Sequence, residues 1–252
     1  DSKSKSKIMA DKQNHGLHKL SAAGVLITLG IIFGDIGTSP IYVLKAIMNM
    51  ATGGHHAITD DLILGGVSCV FWTLTIIVTI KYVILALNAD NKGEGGIFAL
   101  YAIVRRYKAK WTIIPALIGC ASLMADGFIT PPISISSAVE GLNILYPDIQ
   151  TVPIVIGILM AIFLAQQFGT NKIGAAFGPV MLIWFTMIGV LGFKQILQYP
   201  QVFKALNPMY AINLVVNYPG GIWFLGAVFL CSTGGEALYS DLGHCGKRNI
   251  QL

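Results

Sequence analysis

Four acidic residues lie inside or beside long apolar stretches of this sequence, where a charged side chain would have little water around it. They are Asp35, Asp126, Glu140 and Glu236. An acid at the centre of a membrane-spanning helix costs about 2.5–3.5 kcal/mol on insertion scales, so such residues are usually functional. Lys45 and Lys81 are the candidate basic partners within the apolar stretches. The excess of negative charge predicts a pocket for a cation, a proton or both.

Two of the acids stand among residues that disfavour a regular helix. Asp35 lies in the stretch 34–40, which contains two glycines, a threonine, a serine and a proline, and Glu236 ends the stretch 232–236, which reads STGGE. Glycine is permissive and proline lacks an amide donor, so we expect unwound backbone at both places. Unwound backbone at membrane depth is tolerated where it lines a cavity, and its carbonyls can replace the hydration shell of an alkali cation. The alternative, protonated acids that only link helices, is weakest for these two residues.

The elements that must position these residues are membrane-spanning helices. Hydrophobic residues make up 54% of the 252 residues and charged residues 12%, about half of the roughly 25% typical of soluble domains. The main apolar blocks cover 25–33, 62–87, 113–124, 152–165, 175–193 and 222–231. A spanning helix needs about 20 mostly apolar residues, and several blocks reach that length with their flanks. The pattern predicts an all-α membrane protein with six crossings and argues against a soluble fold.

The distribution of basic residues predicts the orientation of these crossings. The net charge is +5, and the basic residues concentrate before the first block, between the second and third, after the fourth and after the sixth. This alternation follows the positive-inside rule. It predicts a multi-pass protein of the plasma membrane with a cytoplasmic N-terminus, and it argues against nucleic acid as a partner. Residues 1–16 are polar and lysine-rich, and we expect them to form a cytoplasmic tail, with the transmembrane domain over 17–252.

The sequence offers no pattern of a covalent catalyst or of a metalloprotein. The four cysteines are scattered without the spacing of metal ligands, and a cysteine in an apolar block usually packs as a small hydrophobic residue. No pair of nucleophile and base is visible. We therefore expect a protein that is not an enzyme.

Three motifs give the sequence a family resemblance. Residues 30–42 read GIIFGDIGTSPIY, residues 126–131 read DGFITP and residues 235–244 read GEALYSDLGH. In order and spacing they resemble the first-, third- and sixth-helix signatures of the KUP/HAK/KT potassium transporters. The stretch GEGG at 93–96 is similar to the turn that precedes the third helix in that family.

The resemblance implies a proton-coupled potassium importer that works by alternating access. It implies the LeuT-like, inverted-repeat fold of the amino acid–polyamine–organocation (APC) superfamily, in which helices 1 and 6 are discontinuous. The chain would supply the first five-helix repeat and helix 6, without the second repeat or a cytoplasmic C-terminal domain. Family members often form homodimers. By position in the motifs, the residues that would line the K⁺ and proton-coupling site are Asp35, Tyr42, Asp126, Thr130, Ser134, Thr233 and Glu236.

Two other transport functions compete with this interpretation. An amino-acid or amine transporter of the same fold would use free backbone amides in the first helix to hold a carboxylate, whereas here Asp35 occupies that position. A potassium channel would need a short filter strand of stacked carbonyls, and the sequence that builds it is absent. A K⁺ and H⁺ symporter in a lipid bilayer remains the main hypothesis.

Overall fold

The computed structural model describes residues 20–53, 58–107, 110–167, 170–218 and 220–252. Within these residues the chain is helical, apart from one isolated antiparallel bridge between Asn91 and Glu94. The expected polar tail at 1–16 and the first three residues of the expected transmembrane domain lie outside the described residues.

The helices follow one another with short connections. In chain order they are α1 (Ala22–Ile31), α2 (Phe33–Gly53), α3 (Asp60–Thr73), α4 (Gly96–Arg105), α5 (Ile113–Glu140), α6 (Thr151–Gln166), α7 (Thr170–Gln198), α8 (Pro208–Asn217), α9 (Gly221–Phe229), α10 (Ala237–Ser240), α11 (Leu242–Cys245) and α12 (Lys247–Gln251). A π-helix, Leu74–Leu85, and a 3₁₀ turn, Ala86–Asn88, continue α3 without a break. Further 3₁₀ turns are Lys110–Thr112, Gly141–Ile144, Pro200–Leu206 and Leu230–Ser232.

Several of these helices are long and apolar enough to cross a membrane. Four described spans meet that requirement, namely Asp60–Asn88, Ile113–Ile144, Ala176–Gln198 and Gly221–Ser240. The bent pair α1 and α2 makes a fifth if it counts as one span. The chain is therefore a multi-pass membrane protein.

The expected fourth crossing is shorter in the structure than a regular span. It corresponds to α6, which has 16 residues. A helix of that length extends about 24 Å at 1.5 Å per residue, less than the roughly 30 Å of a hydrocarbon core. Six crossings were expected, and the described residues supply four or five spans of sufficient length.

The first apolar segment bends at a different place from the one expected. The expectation of unwound backbone over 34–40 is wrong, because these residues belong to α2, and the helices instead meet at Ile32 with a bend of 49°. Glycine and proline are tolerated inside membrane-spanning helices. Within this stretch the hydroxyls of Thr38 and Ser39 both donate to the carbonyl of Asp35, at 3.0 and 3.1 Å.

The backbone of the sixth segment leaves α-helical geometry near Glu236. α9 ends at Phe229, a 3₁₀ turn follows over Leu230–Ser232, and the turn residues 233–236 separate it from α10. Gly234 has a φ of +81°, a conformation that costs an L-residue with a side chain about 1–2 kcal/mol. This turn therefore depends on a glycine at position 234.

Two buried clusters hold this turn from opposite sides. One joins α2, α3, α8 and α9 and includes Tyr42, Cys69, Leu214 and Cys231. The other joins the α1–α2 bend to the π-helix and to the segments after the turn, and Ile32 and Leu238 are fully buried in it. The turn at 233–236 lies between these clusters in the chain, so packing on both sides fixes its position against α2.

Glycines let α7 approach the first segment closely. A Cβ atom added to Gly30 would collide with the backbone of Gly178, and one added to Gly178 would collide with the carbonyl of Leu26. Further along, the indole of Trp184 donates to the carbonyl of Gly37 at 3.2 Å. Small residues at a helix crossing permit this kind of backbone contact in membranes.

Candidate functional site

The carboxylate of Asp35 lies directly against the turn between α9 and α10. A Cβ atom added to Gly234 would be 2.6 Å from Oδ2 of Asp35 and 2.7 Å from its Cβ. Asp35 is also in the first turn of α2, where the positive end of the helix dipole favours a negative charge. The bend at Ile32 thus provides a helix N-terminus for Asp35, and the glycine provides room for it beside the turn.

Three hydroxyl groups meet one turn further along α2. The Tyr42 hydroxyl donates to Ser39 Oγ at 2.9 Å, and both oxygens lie 3.1 Å from Thr233 Oγ1. Thr233 in turn donates to the carbonyl of Leu230 at 2.6 Å. The hydroxyl cluster of Ser39, Tyr42 and Thr233 therefore links the first segment to the turn of the sixth.

Two further acids approach from other segments. Asp126 is on α5 and accepts a hydrogen bond from Thr130 Oγ1 at 2.7 Å. Glu236 is in the turn before α10, and it borders the same cavity as Asp126. The carboxylate of Asp35 lies against Gly234 of that turn, so the fold brings these three acids to one region although they are at least 91 residues apart in sequence.

Two of these acids, Asp126 and Glu236, form part of the wall of a large cavity. It has a volume of about 560 Å³, and Asp126, Thr233 and Glu236 contribute to its wall. The rest of the wall comes from the π-helix, from α4 and α5, and from Tyr239 and Ser240 of α10. Ligand pockets are usually lined by apolar side chains with a few polar groups among them, and this cavity has that composition.

The remaining expected residues are placed outside this cavity. Tyr42 and Ser134 border a second cavity of about 260 Å³, together with Thr38, Ser137 and Trp184. The Ser134 hydroxyl is buried there and has no hydrogen-bond partner among the residues that the structure describes. Asp35 and Thr130 border neither cavity in the described residues. The seven expected residues therefore do not line one common cavity: three border the larger cavity, two the smaller and two neither.

The fourth acid of the apolar stretches is held elsewhere. Glu140 forms an ion pair with Lys45 that joins the end of α5 to α2, and both side chains are partly exposed. Lys81 lies over the ring of Tyr82, with its Nζ 4.8 Å from the ring centre, and it borders the larger cavity near Glu236. Glu140 therefore has a basic partner of its own, whereas no ion pair of Asp35, Asp126 or Glu236 is found within the described residues.

The arrangement suits a weakly charged ligand better than a divalent metal. Within the described part of the chain, no three His, Cys, Asp or Glu side chains are grouped closely enough to hold a metal ion. A large monovalent cation prefers many neutral oxygens to several carboxylates. Hydroxyl groups next to one or two carboxylates meet that requirement.

Two residues of the site, Ser39 and Gly234, were not predicted from the sequence. Ser39 is fully buried and contacts both Tyr42 and Thr233, and Gly234 supplies the space that Asp35 occupies. Both are part of motifs that were recognised, but a serine beside a proline and a glycine in a turn first indicate backbone geometry. Their contacts depend on how α2 packs against the turn, which no local pattern specifies.

Comparisons with known proteins identify relatives along almost the whole chain. The family model described as "K+ potassium transporter integral membrane domain" matches residues 22–252. The chain is 61% identical over 237 residues to the "Probable potassium transport system protein Kup" of Flavobacterium johnsoniae, covering 93% of this chain and 35% of that protein. It is 58% identical over 249 residues to the protein of the same name from Cytophaga hutchinsonii, covering 97% of this chain and 37% of the relative.

A more distant relative agrees with these two. The protein of that name from Latilactobacillus sakei is 49% identical over 252 residues, covering 96% of this chain and 37% of its own length. The chain thus spans a little over a third of the length of these relatives. No solved structure gives a significant match. By the extent of the model match and the identity to its relatives, the chain belongs to the K⁺ potassium transporter integral membrane domain family.

Proposed function

We propose that this chain forms the cation-binding part of a potassium uptake protein in the plasma membrane. The observation that carries the proposal is the turn between α9 and α10, which holds Asp35 and the hydroxyl cluster against it and borders a cavity together with Asp126. The relatives described above are all named for potassium transport. Nothing in the structure or in these names favours an amino-acid or amine substrate.

The fold we propose for the whole protein is the LeuT-like inverted repeat. In that arrangement the chain supplies the first five-helix repeat and helix 6, and its N-terminus is cytoplasmic. Support comes from the bend of 49° at Ile32 and from the non-α backbone over 230–236. These are the two places where discontinuous helices of such transporters expose backbone to the substrate.

The K⁺ site that we propose lies around the hydroxyl cluster, where Tyr42, which borders the smaller cavity, meets Thr233, which borders the larger one. A K⁺ ion would exchange water for oxygens of Tyr42, Thr130, Ser134 and Thr233, with Asp35, Asp126 and Glu236 supplying the negative charge. The unpartnered hydroxyl of Ser134 supports this role, because a buried hydroxyl without a hydrogen bond loses about 1–3 kcal/mol of solvation. An ion bound beside it would restore a favourable partner.

Proton coupling would involve the pair of Asp126 and Glu236. Both carboxyl groups border one cavity, where two negative charges repel each other and where a proton or a K⁺ ion reduces that repulsion. A K⁺ ion arriving beside the pair would favour release of that proton, and departure of the ion would favour its return. The pair borders the larger cavity, which gives it a route to water.

The test uses a bacterium that lacks its own potassium uptake systems and carries the intact gene product. We expect Asp35→Asn, Asp126→Asn and Glu236→Gln each to abolish growth on low potassium while the protein still reaches the membrane. Asp148→Asn is the matched control, because Asp148 is an exposed acid in the turn before α6. Normal growth of all three variants would refute the proposed site.

A second measurement tests the coupling. In vesicles that contain the purified protein, an imposed inward proton gradient should drive rubidium uptake, and rubidium entry should alkalinise the outside. A protonophore should remove both effects. If rubidium enters at the same rate with and without the proton gradient, the proposal of potassium uptake holds and the proposal of proton symport is refuted.

A further inference from the structure

Ser39 has an unusual number of polar contacts for one small buried residue. Its side chain has no exposed surface, and its hydroxyl contacts the carbonyl of Asp35, the phenol of Tyr42 and the hydroxyl of Thr233 at 2.9–3.1 Å. It thus joins three of the residues that the proposed function places around the ion.

The hydroxyl cluster has fewer hydrogens than contacts. Ser39, Tyr42 and Thr233 carry one hydroxyl hydrogen each. They make five close oxygen contacts: three among themselves, one from Ser39 to the Asp35 carbonyl and one from Thr233 to the Leu230 carbonyl. Two of the five contacts therefore have no hydrogen between the oxygens.

The missing hydrogens fall within the cluster itself. The shortest contact is the one from Thr233 to the Leu230 carbonyl, at 2.6 Å, so the Thr233 hydrogen points away from Tyr42 and Ser39. The Tyr42 hydrogen is directed to Ser39 and the Ser39 hydrogen to the Asp35 carbonyl. Lone pairs of Thr233 consequently face lone pairs of both neighbours at 3.1 Å, a repulsive arrangement that a cation beside them would relieve.

We propose that Ser39 is a positioning residue of the cation site, which holds the hydroxyl hydrogen of Tyr42 away from Thr233 so that lone pairs face the ion. The inference rests on the proposed function. Ser39 acts by accepting the Tyr42 hydrogen while its own hydrogen is held by the Asp35 carbonyl. Without the Ser39 oxygen, the Tyr42 hydrogen turns to Thr233 and a donor replaces a lone pair at the site.

The experiment measures how rubidium uptake depends on concentration in cells that carry the intact gene product. We expect Ser39→Ala to raise KM about fivefold, the equivalent of one typical hydrogen bond, with the maximal rate per molecule in the membrane within about twofold. Thr28→Val is the matched control. Thr28 is about as buried as Ser39 and its hydroxyl donates to the carbonyl of Gly24 at 2.8 Å, within α1 and away from the hydroxyl cluster in sequence.

A purely structural role for Ser39 would give a different result. It would lower the amount of protein or the maximal rate and leave KM unchanged, and that outcome overturns the proposal. Ser39→Cys keeps nearly the same volume with a thiol that is a weak donor and acceptor, so it should raise KM even if the alanine variant does not accumulate. Ser39→Thr, which retains the hydroxyl, should restore a KM close to that of the wild type.

The outcomes separate this inference from the proposed function. If the wild type takes up rubidium and Asp126→Asn abolishes uptake, the proposed function holds. An unchanged KM in both Ser39→Ala and Ser39→Cys would then refute only the role of Ser39. If the wild type takes up no rubidium, the proposed function itself fails.

Discussion

Substitution of Gly234 by alanine should disable the site while leaving most of the fold intact. The added Cβ would lie 2.6 Å from Oδ2 of Asp35, whereas ordinary contacts begin near 3.4 Å, so the carboxylate must move by about 0.8 Å. A displacement of about 1 Å at a reacting group can cost about 100-fold in rate. We therefore expect rubidium uptake at low concentration to fall between 10- and 100-fold in Gly234→Ala.

Backbone strain has to be separated from this displacement. Gly234 has a φ of +81°, and an alanine there also costs about 1–2 kcal/mol of strain. Gly220 provides the matched control, because its φ is +73° and a Cβ there would meet only Trp223 Cδ1, at 3.8 Å. Gly220→Ala should carry similar strain and transport normally.

The assay compares initial rates of rubidium uptake over a range of concentrations, normalised to the protein in the membrane. Gly234→Ala should show a raised KM. The melting temperature in detergent should fall in both variants, and further in Gly234→Ala, because its added Cβ would also lie 2.7 Å from the Cβ of Asp35. Equal transport by the two variants would refute the claim that the carboxylate of Asp35 must occupy the space beside the turn.

Three more predictions concern stability, each measured on purified protein in detergent. Gly30→Ala should lower the free energy of unfolding by about 1–3 kcal/mol, because its Cβ would overlap the backbone of α7. Gly189→Ala is the control: a Cβ at that position of α7 would meet no described atom within 4 Å, so the unfolding midpoint should change little. A double-mutant cycle of Lys45→Met and Glu140→Gln should give a coupling energy below about 1 kcal/mol, because both side chains of the ion pair are partly exposed. A larger coupling energy would contradict the view that this ion pair contributes little to stability. Burial raises the pKa of the Asp241 carboxyl, so ionisation at neutral pH opposes folding, and the penalty vanishes below the ordinary pKa of 3.8. Asp241→Asn should therefore raise the melting temperature at pH 7 and progressively less toward pH 4, whereas a gain independent of pH would refute this reasoning.

The helical class could be predicted from the sequence, because it follows from a local signal. A long apolar block requires a helix in lipid, whichever neighbours it has. An acid in such a block requires a partner or a cavity, and in the structure Asp126 and Glu236 border one cavity while Asp35 lies against the turn that contains Glu236. Their assignment to K⁺ and to a proton stays a prediction.

The position of the first bend and the partner of Glu140 could not be predicted in the same way. Glycine and proline at 34–40 indicated an interruption there, but the hydroxyls of Thr38 and Ser39 bond back to the previous turn and α2 continues. Lys45 and Glu140 are 95 positions apart, and their pairing depends on how α5 crosses α2. Local patterns contain no information on such crossings.

The contact between the two ends of the described chain affects the order in which the molecule can fold. The amide of Ser21 donates to Asn249 Oδ1 across 228 positions, and Ile32 shares a buried cluster with Ile250. α1 therefore cannot complete this packing until the residues near Asn249 and Ile250 have been synthesised. Because the entropy cost of closing a long loop is met before its contacts form, α1 should remain loosely packed in the bilayer until α12 has formed.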